Sequence, residues 1–248
     1  MPLKIAQLSD CHLPEDPATP YRQQNADANL DKVWQKALAW GPDIVLLTGD
    51  LSEDASEASY ERLAKRFQTK MPILTLPGNH DDPELMRAQF PNGPWEGPLA
   101  WEQEDWGIVL TDSTRPRAVE GHFSDEALER LREVLSSCSK EHLLVALHHQ
   151  PVPVDAPWID KYRLEEPGAF LQVIDSEPRV RCVVWGHIHH HFAADRNGAL
   201  MLGGPSTAAN SVPRADRFKL DPAGPACRRL ELCDDGSVAY GQLFANAN

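Results

Sequence analysis

Seven side chains with nitrogen or oxygen donors recur in short motifs along this chain. Asp10 and His12 stand in Asp10-Cys11-His12, Asp50 follows Gly49, and Asn79 lies in Gly78-Asn79-His80-Asp81. His148 opens a His148-His149 pair, and His187 and His189 alternate in Gly186-His187-Ile188-His189. Imidazole, carboxylate and amide oxygen suit manganese, iron or zinc, and no thiolate-rich set competes with them. Seven donors exceed the needs of one tetrahedral ion. One shared carboxylate would hold two ions roughly 3.5–4 Å apart, and such a pair is a device for hydrolysing phosphate esters. Asp50 is the natural bridge, because it stands alone between the two ligand groups.

Each motif follows a short apolar run, so the elements that must position them are strands. Leu3 to Leu8, Asp43 to Thr48, Pro72 to Leu76, Trp106 to Thr111, Leu143 to Leu147 and Val180 to Trp185 read as buried strands. Helices alternate with them. Leu30, Val33, Trp34, Ala37 and Leu38 recur at helical spacing before a stop at Gly41-Pro42. Tyr60, Leu63, Ala64 and Phe67 mark a second helix. Asp82-Pro83 opens a short third one. Ser124 caps a helix carrying Leu128, Leu131 and Leu135, with Asp125 and Glu126 favourably placed in its first turn. Another helix starts near Pro167. Cys227 to Leu232 and Ser237 to Leu243 flank Asp234-Asp235-Gly236 and predict a terminal hairpin. Pro14 to Pro20 and Pro91 to Pro98 read as surface loops. This rhythm predicts an α/β fold in which Asp10, Asp50, Asn79, His148 and His187 sit at the C-terminal ends of parallel strands, where ligands usually bind. Within each doublet, residues two apart would point the same way in extended chain. Glycines 49, 78 and 186 would let the backbone turn close to the ions.

Composition narrows the function. At 248 residues and 42% hydrophobic, the chain fits one domain, 1–248, with a full-sized core. A net charge of -13 argues against broad nucleic-acid binding, which needs a basic face. Bound cations would then supply the positive charge that an anionic substrate requires. The apolar runs are too short to span a bilayer, and Met1 to Leu8 lacks the features of a signal peptide. Five scattered cysteines form neither a zinc spacing nor a disulfide framework, so a reduced cytoplasmic protein is expected.

The order Asp-x-His, Gly-Asp, Gly-Asn-His-Asp, His and Gly-His-x-His resembles the signature of calcineurin-like metallophosphoesterases. Taken singly, an Asp at a strand end is usually a turn residue; five blocks in register outweigh that reading. His148-His149-Gln150-Pro151-Val152-Pro153, Trp158-Ile159-Asp160, Gly204-Pro205-Ser206-Thr207 and Arg228-Arg229-Leu230-Glu231-Leu232 further resemble the bacterial class III 3′,5′-cyclic AMP phosphodiesterases. The resemblance runs from about Ile5 to Leu243 and departs at Gln150, where relatives often have His or Pro.

The resemblance implies a four-layer α/β/β/α sandwich of two mixed sheets. The terminal hairpin would close the second sheet or mediate homodimerisation. It implies two metal ions, iron or manganese with zinc as a third choice. Asp10, His12 and His189 would hold the first ion, Asn79, His148 and His187 the second, with Asp50 bridging. His80 would protonate the leaving oxygen, and Asn79, His80 and His189 would meet the substrate phosphate. The implied reaction is hydrolysis of 3′,5′-cyclic AMP to 5′-AMP. Two other functions remain open: a phosphodiesterase for another small diester, such as a glycerophosphodiester or a 2′,3′-cyclic nucleotide, and a non-catalytic scaffold. Cys11 would not be a ligand, although its place allows redox control. His190 and His191 read as rim residues. Trp158 either stacks on a base or packs as a loop residue.

Overall fold

A computed structural model describes residues 1–246. The elements run β1 (Leu3–Leu8), α1 (Ala26–Trp40), β2 (Ile44–Thr48), α2 (Glu57–Arg66), β3 (Ile73–Leu76), α3 (Pro83–Gln89), β4 (Leu99–Gln103) and β5 (Trp106–Leu110). Then follow α4 (Asp125–Ser137), β6 (His142–Ala146), α5 (Pro157–Asp160), α6 (Pro167–Ser176), β7 (Val180–Trp185), β8 (Phe192–Arg196), β9 (Ala199–Gly203), β10 (Ala226–Leu232) and β11 (Val238–Phe244).

The strands form two mixed sheets, ordered β11-β10-β1-β2-β3 and β4-β5-β6-β7-β9-β8. Period-2 alternation explains how they stack. Leu3, Ile5, Ile44 and Leu46 face Trp106, Ile108, Leu144, Ala146 and Val184 in an apolar layer between the sheets. The intervening residues Ala6, Leu8, Val45 and Leu47 face α1 and α2 on one outer side. Leu143, Val145, Val183 and Trp185 face α4 and α6 on the other. The result is the expected α/β/β/α sandwich.

Helix ends follow local chemistry. Asn25 caps α1 by accepting from the Ala28 N–H, Asp82 caps α3, and Ser124 caps α4. Gly41 ends α1 in the left-handed conformation at φ 72. The hairpin of β10 and β11 extends the first sheet, through antiparallel pairing of β10 with β1, rather than closing the second. Sequence periodicity missed β4, α5, β8 and β9.

β1, β2 and β3 run parallel, as do β5, β6, β7 and β9. Their C-terminal ends therefore gather at one edge of the sandwich. Towards that edge the inward series turns polar, from Ile5 to Gln7 and from Leu46 to Thr48. The Gln7 amide donates to Thr48 Oγ1 and to the Trp185 carbonyl, both at 3.0 Å, and so ties the two sheets together beneath the ligand motifs. No helix among the described residues is long and apolar enough to cross a membrane.

Candidate metal centre

The first ligand motif leaves β1 alongside the end of β2. Asp10, His12 and Leu13 donate backbone N–H bonds to the carbonyls of Gly49, Asp50 and Leu51. The doublets do not run as extended chain. Asp10, His12, Asp50, His187 and His189 all hold left-handed backbone, with φ of 52, 42, 51, 66 and 53. Asp and His are among the non-glycine types that enter this region most readily. Each still carries strain of order 1–3 kcal/mol, which persists only where surrounding structure enforces it. The glycines also act differently from expectation. Gly49 alone uses positive φ, at 87. Gly78 and Gly186 are needed because a Cβ would collide, at Gly78 with Asp50 Oδ1 and at Gly186 with Ser9 Oγ.

Asp10, His12, Asp50 and His189 are brought together, with ligand atoms within 4.8 Å of one another. His12 Nδ1 donates to Glu53 Oε2 at 2.7 Å, and His189 Nδ1 donates to the Ala209 carbonyl at 2.9 Å. Those bonds leave both Nε2 atoms as lone pairs. The two Nε2 atoms nonetheless face each other at 3.1 Å, and Asp10 Oδ1 lies 3.2 Å from His189 Nε2. Lone pairs converging at this range repel unless a proton or a metal ion sits among them.

The second group has the same logic. His148 Nδ1 donates to the Thr48 carbonyl at 2.7 Å, so Nε2 is the nitrogen that faces Asp50 Oδ2, at 3.4 Å. That nitrogen is buried without a hydrogen-bond partner, as is Asn79 Oδ1. His187 Nε2 donates to the Tyr162 carbonyl, which frees its Nδ1. Asn79 is carried to this group by its neighbours. Gly78 packs against Asp50 and His148, and the His80 N–H donates to Asp50 Oδ1 at 2.9 Å. Asp50 Oδ2 also lies 3.7 Å from His12 Nε2, so one carboxylate oxygen addresses both groups. These donors, with no thiolate among them, fit two hard or borderline cations. His149 comes as close to His148 and His187, within 4.8 Å. It is committed elsewhere, with Nε2 donating to the Val119 carbonyl and Nδ1 bonded to Ser113 Oγ.

Burial works against every charge here. The histidine charges nearby nevertheless hold Asp10 below the usual carboxylate range and Asp50 well below it. For His148 burial opposes the imidazolium, but Asp50 and Asp10 outweigh it and push its pKa up to about 9. Burial, reinforced by His148, drops His187 to about 3. His80 is also raised despite burial, chiefly by Asp50. Its Nδ1 donates to the Glu53 carbonyl at 3.1 Å, which leaves Nε2 for the half-open side of the site.

Several residues have roles that the motifs did not reveal. Glu53 orients His12 and lies 3.5 Å from His80 Nδ1. A carboxylate three residues after Asp50 was a usable signal, blurred by Asp54 beside it. Asp81 accepts from the N–H groups of Leu51, Ser52 and Gly78 and from the Tyr60 hydroxyl, locking the two loops together. Ser206 donates to the Asp10 carbonyl at 2.7 Å and accepts from the Ala208 and Ala209 N–H groups. Ala209 in turn receives His189, so the Gly204-Pro205-Ser206-Thr207 block positions two candidate ligands.

Other expectations change. His190 is buried, with Nδ1 on the Ile188 carbonyl, rather than at the rim. His191 Nδ1 accepts from Arg228 Nη2. Cys11 sits in the core, where burial pushes its thiol up to about 12 and makes it inert as a thiolate. Gln150 is buried and donates to the Ile159 carbonyl in α5.

The sequence matches the calcineurin-like phosphoesterase family over residues 3–191. The chain belongs to that family. It is 35% identical to the 3′,5′-cyclic adenosine monophosphate phosphodiesterase CpdA of Pseudomonas aeruginosa, covering 96% of this chain and 88% of that one. A probable cyclic nucleotide phosphodiesterase of Synechococcus is 36% identical over 96% of this chain and 90% of its own length. A dimetal phosphatase from Danio rerio shares the fold with a TM-score of 0.73, at 16% identity over 99% of this chain and 100% of that chain. Among metallophosphoesterases, then, this chain carries the His/Asp clusters that suggest a binuclear metal centre.

Proposed function

We propose that the protein hydrolyses 3′,5′-cyclic AMP to 5′-AMP at a two-metal centre. Asp10, His12, Asp50 and His189 would hold one ion, and Asp50, Asn79, His148 and His187 the other. The observation that carries the reading is Asp50 Oδ2, placed between Nε2 of His12 and Nε2 of His148. The cyclic AMP assignment is supported by relatives of that name that align over nearly the whole chain. Iron or manganese is the metal we assign, from the nitrogen and oxygen donor set. The cytoplasm is the compartment we assign, from five cysteines that are all free.

Two cations so placed would neutralise phosphate charge and lower the pKa of an attacking water to about 7. The chain's own residues do the rest. Asp50 fixes the spacing of the two ligand groups and orients His80 through the backbone N–H. Glu53 holds His12 by its carboxylate and His80 by its carbonyl, so both rings have one nitrogen committed and one free. Despite burial, Asp50 and Glu53 raise the His80 pKa, which favours the proton on Nε2 that a departing 3′ oxygen needs. Asn79 meets a phosphate oxygen beside it.

The test is turnover of 3′,5′-cyclic AMP by protein stripped of metal and then reconstituted with manganese or iron, with products separated by chromatography. Bis(p-nitrophenyl) phosphate runs alongside. Metal-dependent release of 5′-AMP is expected. Cleavage of the generic diester with cyclic AMP untouched would leave the centre standing and overturn the substrate assignment.

A further inference from the structure

Two loops outside the ligand motifs close over the His12–His189 half of the centre. The first is a tight turn, Tyr21 to Gln24, whose end residues exchange backbone N–H bonds of 3.0 and 2.8 Å. Its two central residues, Arg22 and Gln23, are both left-handed, at φ 45 and 65. Turns of this kind normally carry Gly, Asn or Asp at those positions. Two consecutive strained residues indicate a turn held for what it presents. It presents Arg22. The guanidinium lies over the Phe218 ring, with Cζ 4.0 Å from the ring centroid, and its Nε donates to the Tyr21 hydroxyl at 3.1 Å. Tyr21 is itself stacked on His12, at 4.1 Å and 7°.

The second loop leaves Ser211, whose N–H donates to the His189 carbonyl at 2.8 Å, and returns at Lys219. It carries Phe218 to within 6.2 Å of the His189 ring and 5.5 Å of the Trp158 ring, both edge-on. Arg214, Arg217 and Lys219 share this loop with one acid, Asp216, on a chain whose net charge is -13, and Arg214 lies 4.0 Å from Asp155. An aromatic face, a planar cation on it and a local excess of positive charge thus sit directly beside the candidate phosphate site.

We propose that the face of Phe218 now covered by the Arg22 guanidinium is the platform on which the flat base of a nucleotide stacks. The assignment rests on the reading of the centre as a cyclic-nucleotide phosphodiesterase. A guanidinium and a nucleobase are both planar and stack on the same aromatic faces. Arg22 therefore occupies the base's place in the free protein. Arg22 is exposed, so a base can displace its guanidinium into solvent. The fixed turn keeps the displaced cation near the phosphate. Trp158, edge-on to Phe218, backs the platform rather than forming it. Stacking tolerates any base, so adenine and guanine nucleotides should both gain from the platform.

The experiment is calorimetric titration of the metal-loaded protein with 5′-AMP and with ribose 5-phosphate, which lacks the base. Wild type, Phe218→Leu and Phe218→Trp are compared, after thermal melts show that all three fold. Wild type should bind 5′-AMP roughly 10- to 100-fold tighter than ribose 5-phosphate. Phe218→Leu keeps an apolar side chain of similar bulk but no stacking face, so that preference should vanish while ribose 5-phosphate affinity stays. Phe218→Trp should restore it. Equal binding of the two ligands by wild type, a preference that survives in Phe218→Leu, or an equal loss for both ligands in that variant would each overturn the platform. A Phe218-dependent preference without turnover of cyclic AMP would uphold the platform and sink the reaction. Turnover of cyclic AMP with no Phe218-dependent preference would do the reverse.

Discussion

The layer between the sheets and the edge where the strands end are built on opposite terms. Between the sheets, Ile5, Leu46, Ile108 and Val184 are wholly buried, apolar and carried on regular strand backbone. At the edge, five candidate ligands hold left-handed backbone, and histidine nitrogens crowd each other or a carboxylate. The core satisfies itself. The edge is satisfied only by something it binds. Stability and activity should therefore separate cleanly by region.

Asp50→Ala tests the separation most severely. It should lose turnover to background and bind neither ion firmly, because one carboxylate serves both groups, while circular dichroism shows the fold intact. Full metal occupancy in that variant would contradict the bridging role. Leu46→Ala should do the converse, costing about 2–5 kcal/mol of stability through the cavity it leaves. Its turnover per folded molecule should be unchanged, so a chemical denaturation curve paired with an activity assay reads both. His80→Ala sharpens the picture within the edge. Both ions should remain, and cyclic AMP turnover should fall roughly 10²–10⁴-fold. Bis(p-nitrophenyl) phosphate, whose leaving group needs no proton, should suffer much less.

Metal loading should also depend on pH, with a sign that follows from His148. Without metal its pKa is pushed up to about 9, so it carries a proton at neutral pH that a cation must displace. Affinity should weaken as pH falls below that value. Titrations in buffers of different ionisation enthalpy should detect the released proton, and a pH-independent affinity would break this assignment. The smallest effect is expected at Ser206→Ala. It removes the hydroxyl that holds the Asp10 carbonyl and the Ala208–Ala209 turn, and supporting bonds of this kind are worth about 10–100-fold in metal affinity.

The same contrast explains what the sequence could reveal. Regular strands and caps were legible because short apolar runs and cap residues are local signals, as at Leu3–Leu8 and Ser124. The candidate ligands were legible because each trails such a strand. β8 was not, since Phe192–Arg196 is an edge strand whose exposed residues show no alternation. α5 is only four residues long and leaves no period to read. The left-handed backbone at Asp10 and His187 carried no glycine to announce it. Glu53 was hidden among neighbouring acids, and the Arg22–Phe218 contact joins residues far apart in the chain with no motif between them.

The most direct test of the central claim is a metal count. Protein reconstituted with manganese and freed of excess ion should hold two ions per chain by mass spectrometry, and anomalous scattering from its crystals should place both beside Asp50. A folded protein that holds one ion or none, or ions away from Asp50, would contradict the account.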